Sequence, residues 1–373
     1  MYDSPLEIQV NITSITINSS IGLIDVINNN SGSFVGCNIH STIFSHLLRM
    51  TLILNDTEDI VKNMKLVGNE EVTISLSKSE SDRIKILKFR INSIVNDGVK
   101  NVFDKKGKIV LDCVSSEYLT GSYILSKRLK GTSNSIITNL ISNNLLSTKI
   151  LTSDAYSYAY DIQTNYKNSF DIINYLEKND DSFFWEDIDG FNYRKYSWLG
   201  TTGNETINFY VNQKQFGDNS VPRAYILENF NNEILLYKDV IYSECYNIPS
   251  TQYKVNKSTL KNSLIESNVG KTPFFSQLET RKSGMINEYG RIDNRMKRFF
   301  QVYNMNSNII QIKTNANFDR RVGQKITLNF EGHDNRDGHD LYKGNWIVLA
   351  IKNELVAGSF TQDIKLAKIK YEK

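Results

Sequence analysis

One arrangement of apolar alternation and glycine turns occurs twice in this chain, once toward each end. In the C-terminal occurrence, residues 309–313 (IIQIK) read as a strand and 315–322 as a turn. Residues 324–330 then alternate Ile326, Leu328 and Phe330 with polar partners, as a half-buried strand does. A polar loop over 331–340 leads to Trp346 and the run WIVLAIKN, and 360–369 alternates again. In the N-terminal occurrence, 50–54 is an apolar strand followed by a polar connection to Leu66, Val67 and Gly68. Val72, Ile74 and Leu76 alternate next, FRINSIVN from Phe89 stands where WIVLAIKN stands, and 109–114 matches 364–369. Alternation and glycine turns are common to all β-meanders. The shared order, the Val-Gly before the second strand and the aromatic opening the third point further, to an internal duplication. The expectation is two barrels of one strand order, Val67-Gly68 falling on Val322-Gly323 and Phe89 near Trp346.

The expected fold class is mainly β: two related antiparallel β-barrels plus a mixed helical and strand domain. The first barrel covers 1–118 and opens with Leu6, Ile8, Val10, Ile12 and Ile15, a strand with one irregularity, then a second apolar segment over 21–26. Residues 119–216 form the mixed α/β domain. In it Ser133 is a fitting N-cap for a helix with Ile136, Ile137, Leu140, Ile141 and Leu145 on one stripe. Ser169, with Asp171 behind it, caps a second helix carrying Ile172, Ile173 and Leu176. A hairpin follows, 182–185 and 191–196, around Asp189-Gly190, a pair suited to a turn with positive φ. Residues 217–247 supply the first strands of the second barrel, and 248–304 are an excursion that packs on the mixed domain. The excursion ends in a helix with Ile292, Met296, Phe299, Phe300 and Tyr303 on one face and Arg291, Arg295, Lys297 and Arg298 on the others. Residues 305–373 complete the second barrel.

The 373 residues allow two to three domains, and a net charge of +3 is too balanced to imply nucleic acid by charge alone. Cys37, Cys113 and Cys245 lie far apart, an odd number among strand-like neighbours, which fits buried small apolar residues rather than a disulfide framework. No apolar run approaches a membrane span, so no membrane insertion is expected. The first ten residues lack the basic and apolar regions of a signal peptide, and folding in a reducing cytoplasm is expected. His40 and His46 read as satisfied histidines rather than ligands. The densest polar cluster, His333 to Asp340, lacks the acid spacing and terminal Glu of a calcium loop and reads as a charged hairpin tip. Glu186, Asp187 and Asp189 crowd one turn, too close together to flank a sugar, and read as a solvated hairpin. The chain contains no Gly-x-Ser-x-Gly, P-loop or His-Glu-x-x-His motif. The expectation is therefore a protein with no catalytic residues, no metal and no cofactor. Polar strand positions such as Ser75, Ser77, Asn92 and Thr327 are those expected on an inward, mostly neutral or acidic face.

Several of these segments resemble the baseplate hub proteins of contractile-tailed, T-even-like bacteriophages. LILND from Leu52, then Met64, Gly68, Glu70 and VTISL from Val72, is similar to the hub's strand, turn, Gly and strand signature. Phe184-Trp185-Glu186-Asp187 with Gly190 and Asn192 resembles its aromatic-Trp hairpin, and Asn317-Phe318 with Val322-Gly323-Gln324-Lys325-Ile326 its last-barrel element. Arg321-Val322 departs from the family, where many members carry Pro before the Gly. The resemblance implies a structural, non-enzymatic virion protein made in the host cytoplasm. Such a protein is a homotrimer whose six tube-like barrels form a ring between the sixfold tail tube and the threefold central spike. Its partners would be the spike, the tube or tube-initiator proteins and baseplate wedge proteins, with tape-measure protein and DNA passing through the ring. An alternative of another class is a polysaccharide-binding or polysaccharide-cleaving tail protein; the repeated β-helix coils it would need are missing.

Overall fold

Alternation of apolar and polar residues builds most of the architecture. In the computed structural model, Val72, Ile74 and Leu76 are buried while the alternating Thr73, Ser75 and Ser77 are not, which commits that strand to one buried face. The structure describes residues 10–27, 33–56, 60–78, 81–97, 107–210, 305, 309–331, 343–356 and 359–368. The strands expected within 217–247, the excursion 248–304 with its Arg291–Arg298 face, and the His333 to Asp340 cluster lie outside these residues, as does Cys245.

The first barrel contains β1 (Val10–Asn18), β2 (Leu23–Asp25), β3 (Phe34–Thr42), β4 (Arg49–Asp56), the short helix α1 (Ile60–Asn63), β5 (Glu71–Lys78), β6 (Ser81–Asp97) and β7 (Gly107–Ser115). The irregularity expected near Ile12 is a bulge in β1 between Ile12 and Ser14. The middle domain follows with α2 (Glu117–Gly121), β8 (Arg128–Thr132), α3 (Ser133–Asn143), β9 (Leu151–Ser153), β10 (Ala159–Gln163), α4 (Ser169–Asp180), β11 (Ser182–Asp187) and β12 (Gly190–Lys195). The remaining strands are β13 (Glu205–Tyr210), β14 (Ile309–Asn315), β15 (Lys325–Glu331), β16 (Gly344–Val356) and β17 (Ser359–Lys368). Twelve strands make one sheet, ordered β13-β15-β16-β3-β4-β7-β6-β5-β1-β2, with β17 pairing both β14 and β16. The two barrels therefore share a sheet, joined where β16 pairs antiparallel with β3.

The duplication holds at the level of register. β4 pairs β7, β7 pairs β6 and β6 pairs β5; in the same way β14 pairs β17, β17 pairs β16 and β16 pairs β15, all antiparallel. Phe89 lies opposite Val72 and Trp346 opposite Ile326, so the two aromatics occupy one place. Three residues beyond each, β6 bulges at Asn92 and β16 at Leu349. The turn before the second strand corrects the expected alignment by one residue: Asn69, not Gly68, is the counterpart of Gly323. Asn69 N donates to Ile91 O (2.7 Å) and Gly323 N to Val348 O (2.8 Å). Both have positive φ, 73° and 85°, which Asn tolerates better than other side-chain-bearing residues. The carboxylate of Glu70 accepts from Val67 N (2.8 Å) where the amide oxygen of Gln324 accepts from Arg321 N (2.9 Å). The copies differ in their next strand: β1 runs antiparallel to β5, whereas β13 runs parallel to β15. β13 comes from the span expected to belong to the mixed domain, but it extends the second barrel's sheet.

Both middle-domain helices begin one residue away from the expected caps. Thr132 precedes α3, its hydroxyl accepting from Ser135 N. Asn168 precedes α4 and forms a reciprocal box with Asp171, Asn168 Oδ1 accepting from Asp171 N (2.8 Å) and Asp171 Oδ2 from Asn168 N (3.1 Å). The Asn side chain reaches the third amide of the helix, which left Ser169 free to be its first residue. Ile136, Ile137, Leu140, Ile172, Ile173 and Leu176 bury the facing stripes. Cys37 and Cys113 are buried and unoxidised, and burial pushes both thiols up.

Candidate functional site at the junction of the barrels

The hairpin of β11 and β12 is the element on which the three units converge. Every residue of β11 is buried. Alternate side chains enter different cores: Phe183 and Trp185 pack in the core of the second barrel, while Phe184 packs with Phe191 and Tyr193 in that of the middle domain. Phe318 of the second barrel and the hairpin-tip residue Ile188 pack against the core of the first. Gly323 presents bare backbone to the hairpin's neighbours, since a Cβ there would lie 2.8 Å from the Trp198 ring. Gly190 makes a second such approach, its absent Cβ lying 2.5 Å from Ile150 O at φ 141°. It opens β12 rather than centring the turn, which falls on Ile188 and Asp189.

The reading of a solvated acidic hairpin is corrected here. Glu186 is 1% exposed and Asp187 7%, because the hairpin is covered on both faces. Glu186 accepts from Leu48 N (3.0 Å) and from Lys149 Nζ (2.5 Å), with the Ser115 hydroxyl at 3.0 Å. Lys149 Nζ also donates to Glu117 (2.7 Å), which accepts from Ser147 as well (2.7 Å). Two carboxylates thus surround one ammonium where the first barrel, through Leu48 and Ser115, meets the middle domain. Burial pushes Glu186 up, Lys149 offsetting this only in part. Burial acts the same way on Glu117, but Lys149 and the hydroxyls of Ser115 and Ser147 outweigh it and hold that carboxyl below its ordinary value. Lys149 is raised, its carboxylate partners outweighing its own burial.

At the hairpin tip, Asp187 accepts from Asp189 N and from Asn192 Nδ2 (both 2.8 Å), and burial raises its pKa. Asp189 reaches both barrels, pairing with Lys85 of β6 (2.5 Å) and with Arg321 Nε (2.5 Å). Burial pushes Asp189 up, but the hydrogen bonds from Arg321 and Lys85 prevail and lower it. Beside it Arg320 is buried, forks onto Glu205 (2.5 and 2.8 Å) and reaches Gln362. Gln362 in turn donates to Asn317 O (3.0 Å) and Asn353 Oδ1 (2.7 Å), so one network ties the Asn317-Phe318 loop to β13, β16 and β17. His46 bonds Glu177 (2.9 Å), whose other oxygen accepts from Phe184 N (2.6 Å), a second link from the first barrel. His40 stands apart on the solvent-facing side of the sheet. Burial, with Arg49, Lys352 and Lys365 around it, lowers its pKa from 6.5 and keeps it neutral at pH 7.

These groups serve as joints. The carboxylates Glu186, Asp187, Asp189, Glu117, Glu177 and Glu205 are each engaged by amides or cations. Among the described residues no three His, Cys, Asp or Glu are placed to hold a metal. Sequence reasoning found the hairpin and missed the Lys149 cluster, because its members come from four separate segments and each alone reads as a surface charge.

No protein-family model matches the chain, and no curated protein matches it. Among solved structures, the chain is similar to the prophage MuSo2 43 kDa tail protein from Shewanella oneidensis, with 6% identity and a TM-score of 0.53 over 95% of this chain and 96% of that one. It is similar too to a tail protein from Neisseria meningitidis MC58, with 8% identity and a TM-score of 0.54 over 96% of each chain. At such identities the likeness is one of fold: a mainly β chain built as these two tail proteins are built.

Proposed function

We propose that this chain is a structural baseplate hub of a phage contractile tail, without catalytic activity. Three copies form a ring of six similar barrels that adapts a sixfold tail tube to a threefold central spike. The observation that carries this reading is the duplication itself. Two barrels with matching strand pairing, matching bulges and a shared sheet let a trimer imitate a hexamer, and a chain with one barrel could not. The fold shared with two tail proteins and the family resemblance of the hairpin and turn segments support it. The expected partners are the spike, the tube or its initiator and the wedge proteins, with tape-measure protein and DNA passing transiently through the bore of the assembled virion.

The sheet's solvent-facing side is the one we assign to that bore. It carries Ser75 and Ser77 on β5 and Thr327 on β15, all partly accessible, and the exposed Asn92 at the β6 bulge. Several of its cations are matched by neighbouring carboxylates: Lys313 with Glu354 (2.7 Å), Lys88 and Arg90 with Glu71 (3.7 and 3.6 Å), and Lys352 with Glu354 and Asp363 (3.7 and 3.8 Å). Matched cations hold passing phosphates less than free ones, which suits a conduit. The test is the native mass of the purified protein. Three chains of 42.8 kDa, about 128 kDa, are expected; a mass that stays at one chain even with the spike protein present would contradict the proposal.

A further inference from the structure

The register of the sheet lines up charges that lie far apart in the chain. Lys352 on β16, His40 on β3, Arg49 on β4, Val114 on β7 and Arg90 on β6 stand directly opposite one another in turn. Residues paired in this way share one face, here the solvent-facing side assigned above to the bore. The row crosses the joint between the two barrels at a single level, with neighbouring strands about 4.8 Å apart. Like charges set directly opposite one another destabilise a sheet. Lys352, His40 and Arg49 are therefore an arrangement that folding alone does not favour.

Toward its two ends the row is neutralised. Arg90 has Glu71 (3.6 Å), and Lys352 has Glu354 and Asp363 (3.7 and 3.8 Å), of which Glu354 also serves Lys313 (2.7 Å). The centre is different. Arg49 is exposed and has no carboxylate partner among the described residues. The same holds for Lys365 of β17, which stands opposite Ala350 at the β16 bulge. His40 lies among these cations and registers them. Burial, then Arg49 from β4, Lys352 from β16 and Lys365 from β17, hold its pKa below 6.5. An anion laid across this level would meet two free cations, and a third once His40 takes up a proton.

We infer that Arg49, Lys365 and His40 form a phosphate-binding belt, the level at which DNA in the bore is held rather than merely passed. The inference rests on the bore reading above and adds where the DNA is held and by which groups. Where strands line a bore, a row running across them runs round it. Duplex DNA presents phosphates around its whole circumference, so each copy in a ring meets one at any rotation and without regard to sequence. The test is binding of a short labelled DNA duplex to the full chain by fluorescence anisotropy at about 50 to 200 mM salt. Each phosphate neutralised adds about 0.9 to the slope of log affinity against log salt. Arg49→Gln with Lys365→Gln is therefore expected to lower that slope by about 1.8 for each copy engaged, about 5.4 for three. Lys178→Gln, the same loss of charge on α4 of the middle domain, is expected to leave it unchanged. Affinity is expected to rise from pH 8 to pH 6, as bound phosphate favours the His40 imidazolium, and His40→Gln is expected to remove that rise. A trimer by native mass that binds no duplex at low salt, or whose slope falls equally with Lys178→Gln, would overturn the belt and leave the ring standing. Displacement of the duplex by polyglutamate at equal charge would overturn the choice of nucleic acid in favour of an acidic protein segment. A monomer whose slope falls by about 1.8 in the double variant would keep the belt and overturn the ring.

Discussion

Trp185→Ala is expected to cost about 3–5 kcal/mol of stability, the range for removing a large buried aromatic side chain. Trp185 is fully buried in the core of the second barrel, its ring 6.2 Å from that of Trp198 and against the backbone of Gly323. Alanine would leave a cavity where Gly323 has no side chain to fill it. Because Phe184 on the opposite face belongs to the middle domain, the damage should concentrate at one seam, loosening the hairpin from the second barrel. Urea unfolding measures the loss, and limited proteolysis should find new cleavage near the junction. Trp185→Phe is expected to cost much less. The indole N–H has no acceptor among the described residues, so phenylalanine removes a buried donor along with some volume. Equal losses for the two variants would show that the ring's volume is not what the junction uses.

The second large effect is Lys149→Met, expected to cost about 3–5 kcal/mol at neutral pH because it leaves two buried carboxylates without their cation. Side chains of Glu117 and Glu186 are 6% and 1% exposed, so solvent screens them little. The sign of the pH dependence follows. Without Lys149 the folded-state pKa of each carboxyl rises above the unfolded value of about 4.3. A raised pKa gives stability that is present below the unfolded value and is lost as pH rises through the folded one. Lys149→Met should therefore approach the parent protein near pH 4 and fall away from it toward pH 7. In the parent, Glu117 behaves in the opposite sense: its lowered pKa gives stability above the unfolded value, lost as pH falls through the folded one. Urea denaturation of both proteins at the two pH values checks this. A deficit independent of pH would mean that Lys149 acts by packing alone, and Glu186→Gln added to Lys149→Met should then rescue nothing.

The barrels were legible in the sequence because period-two alternation is local and every strand carries it. The order 50–54, 72–76, 89–96 and 109–114 needed only that pattern, and the structure pairs those strands as their C-terminal counterparts pair. The one-residue slip at Val67-Gly68 arose because Asn69 can take the left-handed conformation that seemed to call for glycine. Burial of Glu186 and Asp187 was illegible for another reason. A carboxylate on a turn looks solvated until the chains that cover it are in place, and here Leu48, Lys149 and Arg321 arrive from far along the sequence. The motif Phe184-Trp185-Glu186-Asp187 stands out in the sequence by its aromatics, and its place between two cores explains the aromatics and the acids together.

Particle images of the purified protein, averaged without imposed symmetry, bear most directly on the ring. A threefold ring with six barrel-sized densities around an axial opening, alternating only in what lies outside them, is the expected result. Single chains, or a threefold particle in which the two barrels of each chain sit at different radii and no opening remains, would contradict the account.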